Sequence, residues 1–222
     1  MKRRKKSESS RRKGKSRAKA EALAGRALEN PAFLPKILED VGSREADVKF
    51  PSAMALVIVS EKSPEMLYPK FGFFVELLDS KNKIIKWSAM SVIANLTRVD
   101  KRKAFEGIFE RYYDLLKDES MVTAANLVGN SARIALAKPH LTDRITEKLL
   151  SVEAIPRGEE CRSIIMGAAI LAFDEYYDQI RNKEAVLSFA RGRLSSKRSA
   201  TRKKAEDFLR KRERPVCGCC RA

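Results

Sequence analysis

Apolar residues recur at helical spacing along almost the whole chain, and the helices they mark come in pairs with a regular period. Ser52-Ala53, Ser88-Ala89, Thr123-Ala124 and Ser163-Ile164 open the second members of successive pairs, 36, 35 and 40 residues apart, and Thr201 follows 38 later. A helical pair of this size cannot bury its apolar face alone. It must stack against its neighbours, so a period of 35–40 residues predicts an α-solenoid.

The spacing that carries this reading is i, i+3, i+4, i+7. It runs through Phe33, Leu34, Ile37, Leu38 and Val41, then Phe73, Phe74, Leu77 and Leu78, then Ala89, Val92, Ile93 and Leu96, and closes with Ala205, Phe208 and Leu209. No strand-like alternation of useful length interrupts it, so the fold class is all-α. The predicted pairs are 31–41 with 46–61, 66–79 with 82–98, 102–117 with 120–137, 140–151 with 159–178, and 183–193 with 197–212. Ser63 before Pro64 predicts a helix start, and Asp100, Asn182 and Ser195 or Ser196 are further N-cap candidates. The connection over 151–158, with Pro156, accounts for the 40-residue step.

The stretches Lys86-Trp87-Ser88-Ala89-Met90-Ser91-Val92-Ile93-Ala94-Asn95-Leu96 and Ala200-Thr201-Arg202-Lys203-Lys204-Ala205-Glu206-Asp207-Phe208-Leu209 look like second helices of HEAT repeats. Over about residues 30–212 the chain resembles the HEAT-repeat and armadillo-like family. The resemblance implies a right-handed α-solenoid of about five HEAT-like hairpins, with second helices lining a concave face. It implies little about chemistry, because such repeats serve many unrelated partners.

Charge divides the 222 residues into three parts. Residues 1–20 hold eleven Lys or Arg against one acid, Glu8, a net of +10. Residues 181–222 hold fourteen against four, also +10, and 21–180 carry −3, which together give the total of +17. A solenoid cradling a duplex along its length would carry its cations in the body. This body is near neutral. Residues 1–20 lack aromatic and β-branched side chains, so 1–29 is predicted to be a basic, disordered tail ahead of the solenoid at 30–212. Residues 213–222 form a second tail. The basic clusters could meet phosphates, an acidic protein or anionic lipid, resemble a bipartite nuclear import signal, or merely keep the chain soluble.

One polar stripe repeats on the second helices. Ser88, Ser91, Asn95 and Arg98 lie at i, i+3, i+7 and i+10, and Thr123, Asn126, Asn130 and Arg133 hold the same places 35 residues on. Asparagine offers both a donor and an acceptor, which suits the main chain of a bound peptide. These eight residues are therefore candidate partner contacts. The alternative is structural: Asn and Ser cap nearby backbone groups, and the arginines complement helix C-termini.

No convergent catalytic set is evident. His140 is the only histidine and stands beside Pro139 at a helix start, where a capping role is expected. No phosphate-binding glycine loop and no zinc-ligand spacing occur, so neither cofactor nor metal is expected. Tyr112-Tyr113-Asp114 and Tyr176-Tyr177-Asp178 fall at non-equivalent positions and are expected to be half-buried packing. Cys217, Cys219 and Cys220 could bind metal, cross-link chains or be inert, and Cys161 is expected to be a half-buried thiol. The longest apolar run, 164–173, is half of a membrane span. The expectation is a non-enzymatic, cytoplasmic scaffold, or nuclear in a eukaryote, holding a protein or peptide on its second-helix face. The alternative is a nucleic-acid-associated protein gripping phosphates through Lys2, Arg3, Arg4, Lys5, Lys6, Arg11, Arg12 and Lys13 with Arg198, Arg202, Lys203 and Lys204.

Overall fold

A computed structural model describes the backbone of residues 2–213 and side chains from Gly14 onward. Every regular element among these residues is a helix: α1 (Lys2–Glu29), α2 (Leu34–Asp40), α3 (Ala46–Lys62), α4 (Pro64–Leu67), α5 (Phe71–Glu76), α6 (Lys83–Leu96), α7 (Ala104–Asp114), α8 (Met121–Ala137), α9 (Thr142–Leu150), α10 (Glu159–Tyr176), α11 (Lys183–Arg191) and α12 (Ser199–Arg212). Short 3₁₀ turns finish many of them. The chain divides into two compact units, residues 1–112 and 113–222.

In the first unit α3 lies between α1 and α6, with α2 behind it, while α5 backs α6. The core is built from Ile37, Leu56, Val59, Leu67, Phe74, Leu78, Met90 and Ile93, nearly all inaccessible to water. In the second unit α10 lies between α8 and α12, α9 packs behind α8 and α10, and α11 backs α12. Phe173 meets Phe189 edge to face, with ring centroids 5.7 Å apart, and Ile170 is fully buried. Each unit thus shows the expected hairpins, with successive second helices side by side.

Local chemistry sets the element ends. Asp100 accepts from the backbone N–H groups of Ala104 (2.8 Å) and Phe105 (3.0 Å) and so caps α7. Asn182 accepts from the N–H of Ala185, starting α11, and Asn82 caps α6 in the same way. Two expected caps differ. Ser63 makes no side-chain cap bond, and proline at the first position alone starts α4. Helix α12 begins at Ser199 behind Arg198 rather than at Ser195 or Ser196.

The segment predicted as a disordered tail also differs: its backbone is helical from Lys2 to Glu29. Ala20, Ala24 and Ala27, spaced i, i+4 and i+7, are buried where α1 meets α3, and Lys19 donates to the carbonyl of Asp47 at 2.7 Å. Alanine alone lets the two helices approach closely, so no aromatic or branched side chain is needed.

All four paired tyrosines are buried rather than half-buried. The hydroxyl of Tyr112 donates to the carbonyl of Met90, and that of Tyr113 to Ser131 Oγ. Tyr176 shares a hydrogen bond with Thr146, and burial pushes its phenol well above the usual range. Tyr177 packs on Phe208 and lies under the Arg212 guanidinium. The hydroxyls of Tyr112, Tyr113 and Tyr176 are thus hydrogen-bonded, as buried tyrosines require.

Candidate functional site

Within each unit the central second helix, α3 or α10, has a helix on either flank and a first helix behind, which leaves one side open. On α3 the open side carries Met54, with 41% of its surface exposed, flanked by half-buried Phe50, Val57 and Ile58. On α6 it carries Ile84, exposed, and Trp87, half-buried. In the second unit α8 exposes Val122 and Leu136, and α10 exposes Leu171 at 48%, beside half-buried Ile164 and Ala168. The remaining large exposed hydrophobe among the described residues, Leu194, follows α11. None lies on a first helix. Sequence reasoning missed these residues, although the signal was present: α3 and α10 are apolar on more of their circumference than one buried face needs.

The polar stripe lies at the edge of this open side. In the first unit Ser88 is half-buried and donates back to the carbonyl of Ile84 at 2.9 Å, and Ser91 is half-buried. Asn95 is buried, and its amide donates to Ser60 Oγ at 2.9 Å, one repeat earlier. Arg98 is exposed and donates to the carbonyl of Glu61 at 3.0 Å, meeting an orphan carbonyl at the end of α3. In the second unit Thr123 and Asn130 are buried, Asn126 bonds back to the carbonyl of Val122 at 2.9 Å, and exposed Arg133 donates to Asn130 Oδ1 at 3.4 Å. Each stripe therefore divides into members that reach solvent and members that face inward.

The second candidate set divides in a similar way. Arg198 pairs with Glu160 at 3.2 Å, and Arg202 donates to the carbonyl of Ser196 at 2.9 Å and lies 4.0 Å from Glu206. Lys203 is exposed, and Lys204 is half-buried with its stem near Gly167. The side chains of Lys2, Arg3, Arg4, Lys5, Lys6, Arg11, Arg12 and Lys13 lie outside those described, as do Cys217, Cys219 and Cys220. Cys161 is half-buried, as expected, and His140 is exposed on the turn Pro139–Leu141.

Elsewhere the second unit holds a groove of about 820 Å³ between the turn before α8 and the connection at 151–158. Tyr113, Leu116, Met121, Ile155 and Cys161 line it. Arg157, reaching from that connection, donates to the carbonyls of Leu116, Asp118 and Glu119 and ties the longer loop to the preceding hairpin. Among the described residues no group of three or more His, Cys, Asp or Glu could hold a metal ion, and no helix is long and apolar enough to cross a membrane.

No family model matches the chain, and no curated protein does. Solved structures do. The designed armadillo repeat protein YIII(Dq)4CqI is similar at a TM-score of 0.54 and 18% identity, over 87% of this chain and 90% of its own. A second engineered protein is similar at a TM-score of 0.51 and 17% identity, over 87% of each chain. At such identities the likeness is one of fold: an armadillo/HEAT-like helical repeat.

Proposed function

We propose that this chain is a non-enzymatic scaffold that holds a protein or peptide partner on the open side of its second helices. One observation carries the reading. Five of the six large exposed hydrophobes among the described residues (Met54, Ile84, Val122, Leu136 and Leu171) sit on second helices. Exposed apolar side chains gathered on one class of helix mark a contact surface better than scattered ones do. Ser88, Ser91, Asn126 and the rim arginines Arg98 and Arg133 border these residues and can meet a partner's main chain and carboxylates. Deeper in each helix, Asn95 ties α6 to Ser60 of the preceding second helix and Asn130 braces Arg133, while Thr123 is buried.

Site-specific photo-cross-linking tests the reading. A cross-linker at Met54 or Leu171 should capture a defined partner from the native host. One at Glu110 or Glu147, exposed on first helices, should not. Equal capture from both sets would overturn the proposal.

A further inference from the structure

Helix α6 of the first unit contains no acid, and cations crowd both of its ends. From Ser80 to Lys103 the chain holds seven Lys or Arg against one acid, Asp100. That acid is buried, and its carboxylate is engaged by the N–H groups of Ala104 and Phe105 and by the Tyr68 hydroxyl. Lys81, Lys83, Lys101, Arg102 and Lys103 are exposed and form no ion pair among the described residues. Helix α3 alongside is neutral, with Asp47 and Glu61 against Lys49 and Lys62.

The fold itself gains nothing from these cations. Lys81 and Lys83 stand at the N-terminus of α6, and Lys101, Arg102 and Lys103 precede that of α7. Both sets oppose the positive end of a helix dipole, where an acid would be favoured. Lys103 also holds a left-handed backbone, at φ 56°, that glycine or asparagine adopts more readily. The start of α12 is the contrast: there Lys197 and Arg198 are met at 3.2 Å by Glu159 and Glu160 of the preceding second helix.

Between its basic ends α6 turns apolar side chains to solvent. Ile84 is exposed and Trp87 half-buried, with half-buried Ser88 and Ser91 further along. Phe50, Met54, Val57 and Ile58 lie on α3, which the Asn95–Ser60 hydrogen bond holds in register with α6. The span from Lys83 to Arg98 is about 22 Å. We infer that the partner segment seated on the first unit is acidic and amphipathic. Its apolar middle covers Met54 and Trp87, and carboxylates at its two ends meet the two basic ends of α6. The inference rests on the reading of the open side as a partner surface and adds the partner's chemistry. The even run of phosphates on a duplex fits less well, because the apolar stretch divides the cations into two groups.

Trp87 is the only tryptophan, so intrinsic fluorescence of the full, unlabelled chain reads occupancy of this face. The probes are synthetic peptides of about 20 residues, long enough as helices to span α6. They share a middle with Leu and Phe at helical spacing, and their ends carry Glu, Ser or Lys. At about 50 mM salt the Glu-ended peptide should shift the Trp87 emission and bind at least about tenfold tighter than the Ser-ended one. The Lys-ended peptide should give no saturable change, and about 500 mM salt should erase most of the preference. Lys83→Gln combined with Lys101→Gln and Lys103→Gln should remove the preference and leave affinity for the Ser-ended peptide within about twofold. Met54→Asp should weaken both peptides about tenfold while the thermal midpoint stays, since Met54 is exposed. A Glu-ended peptide that binds no tighter than the other two would overturn the inference and leave the face itself standing. Binding that Met54→Asp does not change would overturn both. A DNA duplex that binds more tightly than the Glu-ended peptide, through the same three lysines, would also overturn the inference.

Discussion

The hydroxyl of Thr201 donates to the carbonyl of Ser163 at 2.8 Å, 38 residues earlier, where α12 crosses α10. Gly167 lies one turn further along α10, and a Cβ built there would stand 3.0 Å from Thr201 Oγ1 and 3.4 Å from Lys204 Cδ. The two helices approach because one side chain is missing and a hydroxyl replaces a packing contact. Gly167→Ala should therefore destabilise the chain by about 1 kcal/mol or more, through overpacking at a site with little give. Gly129 is the contrast: it is exposed within α8, and nothing lies within 4 Å of an added Cβ. Gly129→Ala should stabilise by about 0.5–1 kcal/mol. Urea unfolding of both variants reads the difference, and the same sign for both would show that α10 and α12 are not so close.

Adjacent residues on α10 separate the open side from the core. Leu171 is 48% exposed and Ile170 is fully buried. Leu171→Asp should leave the thermal midpoint within about 2 °C, since a surface change away from capping and core contributes within about 0.5 kcal/mol. Ile170→Asp buries an unpaired carboxylate and should abolish cooperative unfolding. Differential scanning calorimetry of the pair checks this, and a cooperative, near-native Ile170→Asp would move the core elsewhere.

Asp174 makes one part of stability depend on acid. Burial raises its carboxyl, but the hydrogen bonds and charges of Lys211 and Arg212 outweigh that and hold it below the ordinary 3.8. A carboxylate lowered in the folded state contributes stability above its unfolded value, and that contribution is lost as pH falls through the lower folded value. Melting between pH 6 and pH 2 should show a stability difference between the wild type and Asp174→Asn that shrinks below about pH 4. A difference independent of pH would mean that the ion pairs contribute nothing.

Most of the helical layout was legible because the two periods, 3.6 residues within a helix and 35–40 between pairs, are set by burial, and burial is written in residue type. Helix α1 was not legible as a packed element, since Ala20, Ala24 and Ala27 give a weak apolar signal amid Lys and Arg. The open apolar side was hidden for the opposite reason: in α3 too many positions are apolar to tell the buried face from the exposed one. The polar stripe could be placed along each helix from spacing alone. Its split into inward and outward members depends on a few degrees of helix rotation, which spacing alone does not fix. The ion pairs of Lys197 and Arg198 with Glu159 and Glu160 depend on the register between repeats, and no single repeat encodes that.

An open second-helix face requires residues one repeat apart to be neighbours on successive second helices. A double-mutant cycle on Ser60 and Asn95, whose side chains are buried and bonded 35 residues apart, tests it most directly. Chemical denaturation of Ser60→Ala, Asn95→Ala and the double variant should give a coupling energy of about 1 kcal/mol, with Asn95→Ala alone costing about 1–3 kcal/mol. Additivity within about 0.3 kcal/mol would contradict the stacking register from which the open second-helix face was derived.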